Sequence, residues 1–383
     1  MPTRKQPKET ASPKASGKKV RYAVVGLGYF AQEAILPAFA HARKNSELAA
    51  LVSDDPEKLK KLGRKYGARL GYGYERYDEC LANGEIDAVY IALPNDMHRD
   101  FAVRAAKQGI HVLCEKPLAL SERDCEEMIR AANEHHVRLM TAYRLHFEAA
   151  NLKAIEAIKA GAIGEPRFFN SAFSMQVQDD NIRVKTERGG GPTWDLGVYC
   201  INAARYLFQD EPVEVLARMS SKAGDPRFRE VEEISSAILT FPGDRQAAFT
   251  CGYNGADLSW YTVTGTEGYL CLDNAYDYAM PCALEISKKG KSKTREFGKR
   301  DQVAPELVYF SDCVLKDKEP EPSGVEGLAD VRVIRAIHES ARTGRPVALE
   351  HFEKRARPSE GMAMEKPPAE QGDLFHAEAP TRE

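Results

Sequence analysis

From Val20 to about residue 145 the chain alternates short apolar runs with stretches of helix length. That rhythm leaves few folds open. VRYAVVG (20–26), LAALVS (48–53), DAVYIAL (87–93), IHVLCEKP (110–117) and RLMTAY (138–143) read as strands. Helices are predicted between them over 31–42, 56–66, 97–109 and 121–135. Gly67 and Gly109 mark helix ends, and Ser121 with Asp124 forms a capping pattern. DAVYIAL shows no polar alternation, as expected for a strand buried on both faces. Strands separated by helices predict a parallel sheet covered on both sides, a doubly wound α/β Rossmann domain over 20–145.

The first turn of that series is VVGLGYFAQ (24–32). Gly26, Gly28 and Ala31 give G-x-G-x-x-A between a strand and a helix, the context in which the pattern indicates dinucleotide binding. Gly26 permits the tight turn, Gly28 leaves room for a pyrophosphate, and Ala31 lets helix and strand pack closely. Tyr29 and Phe30 lie inside the loop. The end of the second strand discriminates between cofactors, because an acid there would hold the ribose 2′-hydroxyl of NAD. Here VSDDPEK places Ser53 at that position and Lys58 one turn into the next helix. A hydroxyl and a cation suit a 2′-phosphate, so NADP is expected over NAD. Asp54 and Asp55 leave the alternative open, since either could serve an NAD ribose.

Beyond residue 145 the pattern changes. After a helix over 149–160, strand-like segments predominate (RFFNSAF, VEVLARM, ISSAILTF, QAAFTCGY, WYTVTG, GYLCLD), with helices over 194–208, 305–315 and 327–343. Strands joined by short polar turns predict an α+β domain over 146–352 with a mainly antiparallel sheet. One face of it is expected under helices. If the other is open, it needs a partner, which points to a homodimer or homotetramer. The basic segment 1–19 and the Pro-rich segment 353–383 read as disordered, solvated tails; the first lacks the apolar stretch of a signal peptide. A formal charge of −3 gives no reason to expect nucleic acid as partner, and no apolar run is long enough for a membrane span. Eight scattered cysteines without a C-x-x-C pair argue against a zinc site and for a reducing, cytoplasmic location.

Two further groups carry chemistry. Glu115-Lys116-Pro117 stands at the carboxyl end of a strand, the edge where ligands bind in such sheets. Proline also restricts the backbone of Lys116. In GGGPTWDLGVYCINAARYLF (189–208), Asp195 and Tyr199 are four apart and share a helix face. An acid and a phenol side by side can bind a sugar hydroxyl and move its proton. A packed tyrosine with Asp195 complementing the helix dipole accounts for the same residues equally well. In the loop 175–188, Arg183, Lys185 and Arg188 read more readily as a solvated basic surface than as substrate contacts.

Taken in order, G-x-G-x-x-A, ALPNDMH (92–98), EKP (115–117), YRLHF (143–147) and DLGVY (195–199) resemble the glucose–fructose oxidoreductase/inositol dehydrogenase/rhizopine-catabolism family over about residues 20–350. The stretch around Asp195 is similar to the glucose–fructose oxidoreductase branch. The resemblance implies a Rossmann domain followed by an α+β domain whose open sheet serves oligomerisation. It implies that Lys116 is catalytic, and that Tyr199 stands where most of the family has histidine. It places Leu93, Pro94, Asn95, His98, Glu115 and Arg144, with Tyr143, along the cofactor and substrate cleft. For His98, a histidine at a helix start bonded to backbone is an equal alternative. Ser53 and Lys58 match the NADP-using branch. The expected activity is hydride transfer between the anomeric carbon of an aldose and nicotinamide, giving a lactone and possible reduction of a second sugar. Tyr199 would handle the hydroxyl proton, Lys116 would supply positive charge, and Asp195 would orient the sugar. A reductase of ketoses or 1,5-anhydro sugars, or a non-catalytic NADP-binding sugar sensor, are the other readings.

Overall fold

The structure, a computed structural model, describes residues 19–354, 356–370 and 372–381. The basic tail expected over 1–19 lies, but for Lys19, outside them. Six parallel strands form the first sheet in the order β3-β2-β1-β4-β5-β6. They are β1 (Val20–Val25), β2 (Ser46–Val52), β3 (Leu70–Tyr72), β4 (Ala88–Ile91), β5 (His111–Glu115) and β6 (Leu139–Ala142). Strand order reverses between β1 and β4, which opens a crevice at their carboxyl ends. Every residue of β4 is buried, as its unbroken apolar run requires. The connecting helices are α1 (Leu36–Ala38), α2 (Pro56–Tyr66), α3 (Tyr77–Ala82), α4 (His98–Lys107) and α5 (Glu122–Glu134). Gly67 ends α2 in the left-handed region, and the Ser121 hydroxyl caps α5 by accepting from Asp124 N at 3.1 Å.

A second sheet of nine strands follows, in the order β14-β13-β12-β11-β7-β10-β9-β8-β15. These are β7 (Pro166–Gln176), β8 (Glu214–Ser220), β9 (Ile234–Phe241), β10 (Arg245–Gly252), β11 (Asn254–Gly265), β12 (Gly268–Asp273), β13 (Cys282–Lys288), β14 (Lys291–Phe297) and β15 (Val347–Ala348). Only the β7–β10 pairing is parallel. Helices α6 (Ala149–Lys159), α7 (Val198–Phe208) and α9 (Gly324–Thr343) pack against the sheet. Phe168, Leu216, Ile234 and Ile238 are left exposed on it, because strict alternation turns every second side chain outward. Helix α8 (Ala304–Leu315) returns to the first sheet: Leu307 and Phe310 join a core with Tyr22, Val24 and Ile35. No helix among the described residues is long and apolar enough to cross a membrane.

The segment after residue 352 departs from the expected solvated tail. Lys354, its side chain 4% exposed, pairs with Glu321 at 3.1 Å and with Glu326, and Arg357 meets Glu211 at 2.7 Å. Met364 N then donates to Phe147 O (3.2 Å), and Asp301 N donates to Lys366 O (3.2 Å). Composition marks these residues as polar, but the carboxylates that receive them lie in distant parts of the sequence.

Candidate active site

The glycine loop leaves β1 with Gly26 at φ +95°, where an added Cβ would stand 2.4 Å from Ala92 O. At Gly28 the same construction meets nothing within 4 Å. One glycine is thus required by the fold, and the other opens a cradle at the head of the following helix, where backbone amides favour an anion. Ala31 is buried at the start of a wide π turn, Ala31–Ile35, that continues into α1. Tyr29 and Phe30 are half-buried; Phe30 meets Tyr278 edge-on at 5.7 Å, and burial with the neighbouring Tyr29 phenol raises the Tyr278 pKa. At the end of β2, Ser53 is buried, and its Oγ accepts from Asp55 N at 3.2 Å. Asp55 is committed elsewhere, since its Oδ1 caps α2 by accepting from Glu57 N (2.9 Å) and Lys58 N (3.0 Å). Lys58 is half-exposed and has no ion-pair partner among the described residues. This open, amide-rimmed loop beside a hydroxyl and a free cation fits a dinucleotide.

Past β4, the Leu93 carbonyl and Pro94 lead into a short turn, Asn95–Met97, and Asn95 Nδ2 donates to Gly189 O at 2.9 Å. His98 opens α4 fully buried, with Nε2 2.9 Å from Leu93 O and Nδ1 2.9 Å from Pro117 O. Burial holds its pKa below the usual histidine value. Both ring nitrogens face backbone carbonyls, one of which accepts the single N–H of the neutral ring, so His98 is turned to the loops and away from a ligand. The side chain of a helix's first residue leans back over the preceding loop, which puts the ring there.

Lys116 converges with Asp195 and Tyr199, which share a distant stretch of the sequence. Lys116 Nζ donates to Asp195 Oδ1 (3.0 Å) and Asp195 O (2.8 Å), and lies 4.6 Å from the centre of the Tyr199 ring. Asp195 Oδ2 accepts from Arg183 Nε at 2.8 Å and from Tyr253 OH at 3.2 Å. Burial alone would raise the Asp195 pKa, but Arg183 and Lys116 pull it well below the carboxylate range. Burial likewise works against the Lys116 cation, and the charges of Asp195, Tyr199 and Glu115 outweigh it, so its pKa is raised. Asp195 lies in a second π turn, Thr193–Gly197, which runs into α7; such turns recur at functional sites. Glu115 accepts from Tyr90 OH (2.9 Å) and Lys116 N (3.3 Å) behind this group, and burial raises its pKa. The Arg144 guanidinium stands 5.0 Å from the Tyr199 ring centre and 5.5 Å from that of Tyr278; it donates to Gln302 and to the Tyr276 carbonyl. Arg144 Nε is buried with no partner among the described residues.

Arg183 reverses the reading of its loop as solvated, because Asp195 draws it inward. Arg188, 3.3 Å from Asp96, and Lys185, 3.8 Å from the exposed Asp180, remain surface pairs, as expected. Tyr253, Tyr276 and Tyr278 were not singled out from the sequence. They carry no motif, and they reach the site only through the sheet and the β12–β13 connection.

A family model described as an oxidoreductase family with an NAD-binding Rossmann fold (Gfo/Idh/MocA) matches residues 20–143, and a Gfo/Idh/MocA C-terminal domain model matches 151–271. The chain belongs to the Gfo/Idh/MocA oxidoreductase family. A D-xylose 1-dehydrogenase [NADP(+)] of Haloarcula marismortui is 32% identical, over 88% of this chain and 95% of its own length. A second D-xylose 1-dehydrogenase, of Haloferax volcanii, is 30% identical over 86% and 99%. Among solved structures, the aldose-aldose oxidoreductase of Caulobacter crescentus in complex with glycerol superposes with a TM-score of 0.83. It is 40% identical and covers 86% of this chain and 100% of its own. This member of the Gfo/Idh/MocA family is accordingly an NAD(P)-dependent oxidoreductase acting on sugars.

Proposed function

We propose that the protein is an NADP(H)-dependent aldose oxidoreductase that converts the anomeric centre of an aldose to a lactone. The carrying observation is the Asp195 carboxylate clamped between Lys116 and Arg183, with the Tyr199 ring beneath Lys116 at the edge of the dinucleotide cleft. Held along Gly26, Gly28, Ser53, Lys58 and Asn95, the dinucleotide supplies a hydride acceptor. Tyr199 takes the proton of the anomeric hydroxyl as the C–H bond breaks. To act as base Tyr199 enters as the phenolate, whose negative charge the Lys116 and Arg144 cations beside the ring offset and which proton uptake discharges. Asp195, ionised, accepts a hydrogen bond from a sugar hydroxyl and fixes the ring's orientation. The reverse transfer returns the proton from Tyr199 to a carbonyl oxygen.

NADP over NAD is supported by Ser53 at the end of β2, by Lys58 in the first turn of α2 and by the commitment of Asp55 to capping α2; the exposed Asp54 beside them is the acid left to an NAD ribose. Xylose dehydrogenases named for NADP(+) among the relatives agree with this. The aldose-aldose oxidoreductase neighbour favours a second reading, in which retained cofactor passes hydride from one aldose to another. An open apolar sheet face supports a homo-oligomer, and eight free cysteines suit the cytoplasm.

Absorbance at 340 nm across a panel of aldoses tests the activity. Ordinary dehydrogenation consumes added NADP, whereas a coupled cycle runs on co-purifying cofactor without net absorbance change. Tyr199→Phe should lower turnover at least about 100-fold, the low end for losing a positioned acid–base group. Full turnover in that variant at saturating aldose overturns the assignment.

A further inference from the structure

The Caulobacter structure is matched over 100% of its length but covers only 86% of this chain, so this chain carries residues beyond the shared fold. The C-terminal segment follows a specific path. Phe375 pairs with Gln32, next to Ala31 of the glycine motif, through two hydrogen bonds: Phe375 N to Gln32 Oε1 (2.8 Å) and Gln32 Nε2 to Phe375 O (2.9 Å). The same Nε2 also donates to Leu27 O, inside the glycine loop, at 3.0 Å. The Phe375 ring lies under the Lys61 ammonium at 3.9 Å and stacks on His376 at 3.9 Å. His376 Nδ1 is 2.7 Å from Asp55 Oδ2, the carboxylate at the end of β2.

Five residues later the segment is tied to the other domain. Gln178 N donates to Pro380 O (2.9 Å), Gln178 Nε2 donates to Thr381 O (2.9 Å), and Thr381 bridges Val177 in antiparallel register. Val177 and Gln178 begin the loop that carries Arg183 to Asp195. Between His376 and Pro380 stand only Ala377, Glu378 and Ala379. Four Cα steps reach at most about 14 Å, so this short span joins the ribose end of the dinucleotide cleft to the stem of the catalytic loop.

We propose that residues 372–381 are a strap that completes the adenosine end of the dinucleotide site, retaining the cofactor and admitting a 2′-phosphate by engaging Asp55 through His376. This rests on the reading of the cleft as an NADP site. An unengaged Asp55 is free to accept from the ribose hydroxyls of NAD. Here its two oxygens receive two backbone amides and the His376 ring, while Lys58 and Lys61 stand on the same helix. Opening the strap is the step that lets cofactor exchange, and a closed strap favours hydride shuttling between two sugars.

The test compares the full chain with a truncation ending at Pro368 and with the double substitution Phe375→Gly/His376→Gly, each confirmed folded by its thermal midpoint. NADPH dissociation is followed by stopped-flow fluorescence, and NADP+ and NAD+ affinities are measured by calorimetry. In both variants NADPH should leave about tenfold faster, since lost contacts appear mainly in the off-rate. NADP+ affinity should fall by more than NAD+ affinity. An NADPH off-rate within twofold of the full chain in folded variants overturns the strap. Equal loosening of both dinucleotides keeps the strap and overturns the role of His376 towards the 2′-phosphate. A full-length chain that binds neither dinucleotide overturns the site reading itself.

Discussion

Gly26 and Gly28 are two positions apart and answer to different demands, one from the fold and one from the ligand. A methyl at position 26 would meet Ala92 O at 2.4 Å in a backbone at φ +95°. Gly26→Ala should therefore cost at least about 1–2 kcal/mol of stability, the penalty of a side chain at positive φ before any clash. A methyl at position 28 meets no protein atom within 4 Å. Gly28→Ala should leave the thermal midpoint where it was and weaken dinucleotide binding roughly tenfold, about 1.4 kcal/mol. Melting curves and an NADPH titration on the two variants separate these effects; a Gly28→Ala protein that binds NADPH as tightly as the parent removes the case for the cradle. The G-x-G-x-x-A pattern was readable because its spacing is local. Arg183 was not, because its partner Asp195 becomes its neighbour only after the π turn at Thr193–Gly197 and the 3-10 turns before it are formed.

Among the elements, those fixed by periodicity and caps were legible, and those fixed by tertiary pairing were not. Helix α2 runs Pro56–Tyr66 with its Gly67 stop, as its proline start and glycine end foretell. Strand β3 is three residues long, and β14 (KSKTREF) is a charged edge strand, so neither shows an apolar period. The start of the C-terminal segment is a similar case. It is held by Glu321, whose side chain meets His146 Nδ1 at 2.6 Å and Lys354 Nζ at 3.1 Å. Burial alone would raise the Glu321 pKa, but His146 and Lys354 hold it at about 2, against an ordinary 4.5. A carboxyl whose folded pKa is depressed adds stability that is complete above its unfolded pKa and is lost as pH falls through the folded one. Glu321 should thus add stability at pH 7 that fades between about pH 4.5 and 2, offset in part by Lys354, whose ammonium burial brings down to about 8. Thermal melts of the parent and Glu321→Gln from pH 7 to 3 check this: the gap between them should be widest at neutrality and shrink below pH 4.5. A gap independent of pH would mean that the carboxylate charge does not hold the segment.

At the scale of the whole molecule, the two faces of the nine-stranded sheet have opposite surroundings. The face under α7 meets the Lys116–Asp195–Tyr199 group, with Phe173 of β7 5.6 Å from the Tyr199 ring. On the other, Phe168 (44%), Leu216 (42%) and Ile238 (42%) stay exposed on β7, β8 and β9. A contiguous apolar surface on a sheet marks an interface, and two copies of one such face satisfy two-fold symmetry without any other partner. The protein should therefore run as a dimer or tetramer in light scattering at micromolar concentration. Ile238→Arg should shift it towards the monomer, because an unpaired charge in a closed interface costs several kcal/mol. Since Lys116, Asp195 and Tyr199 lie on the opposite side of the sheet, that monomer should keep its turnover number with saturating sugar and cofactor. A wild-type monomer overturns the reading of the face as a self-interface. Loss of turnover in a folded Ile238→Arg monomer would instead mean that assembly holds the second domain against the first, a task otherwise left to α8, the loop carrying Arg183 and the C-terminal strap.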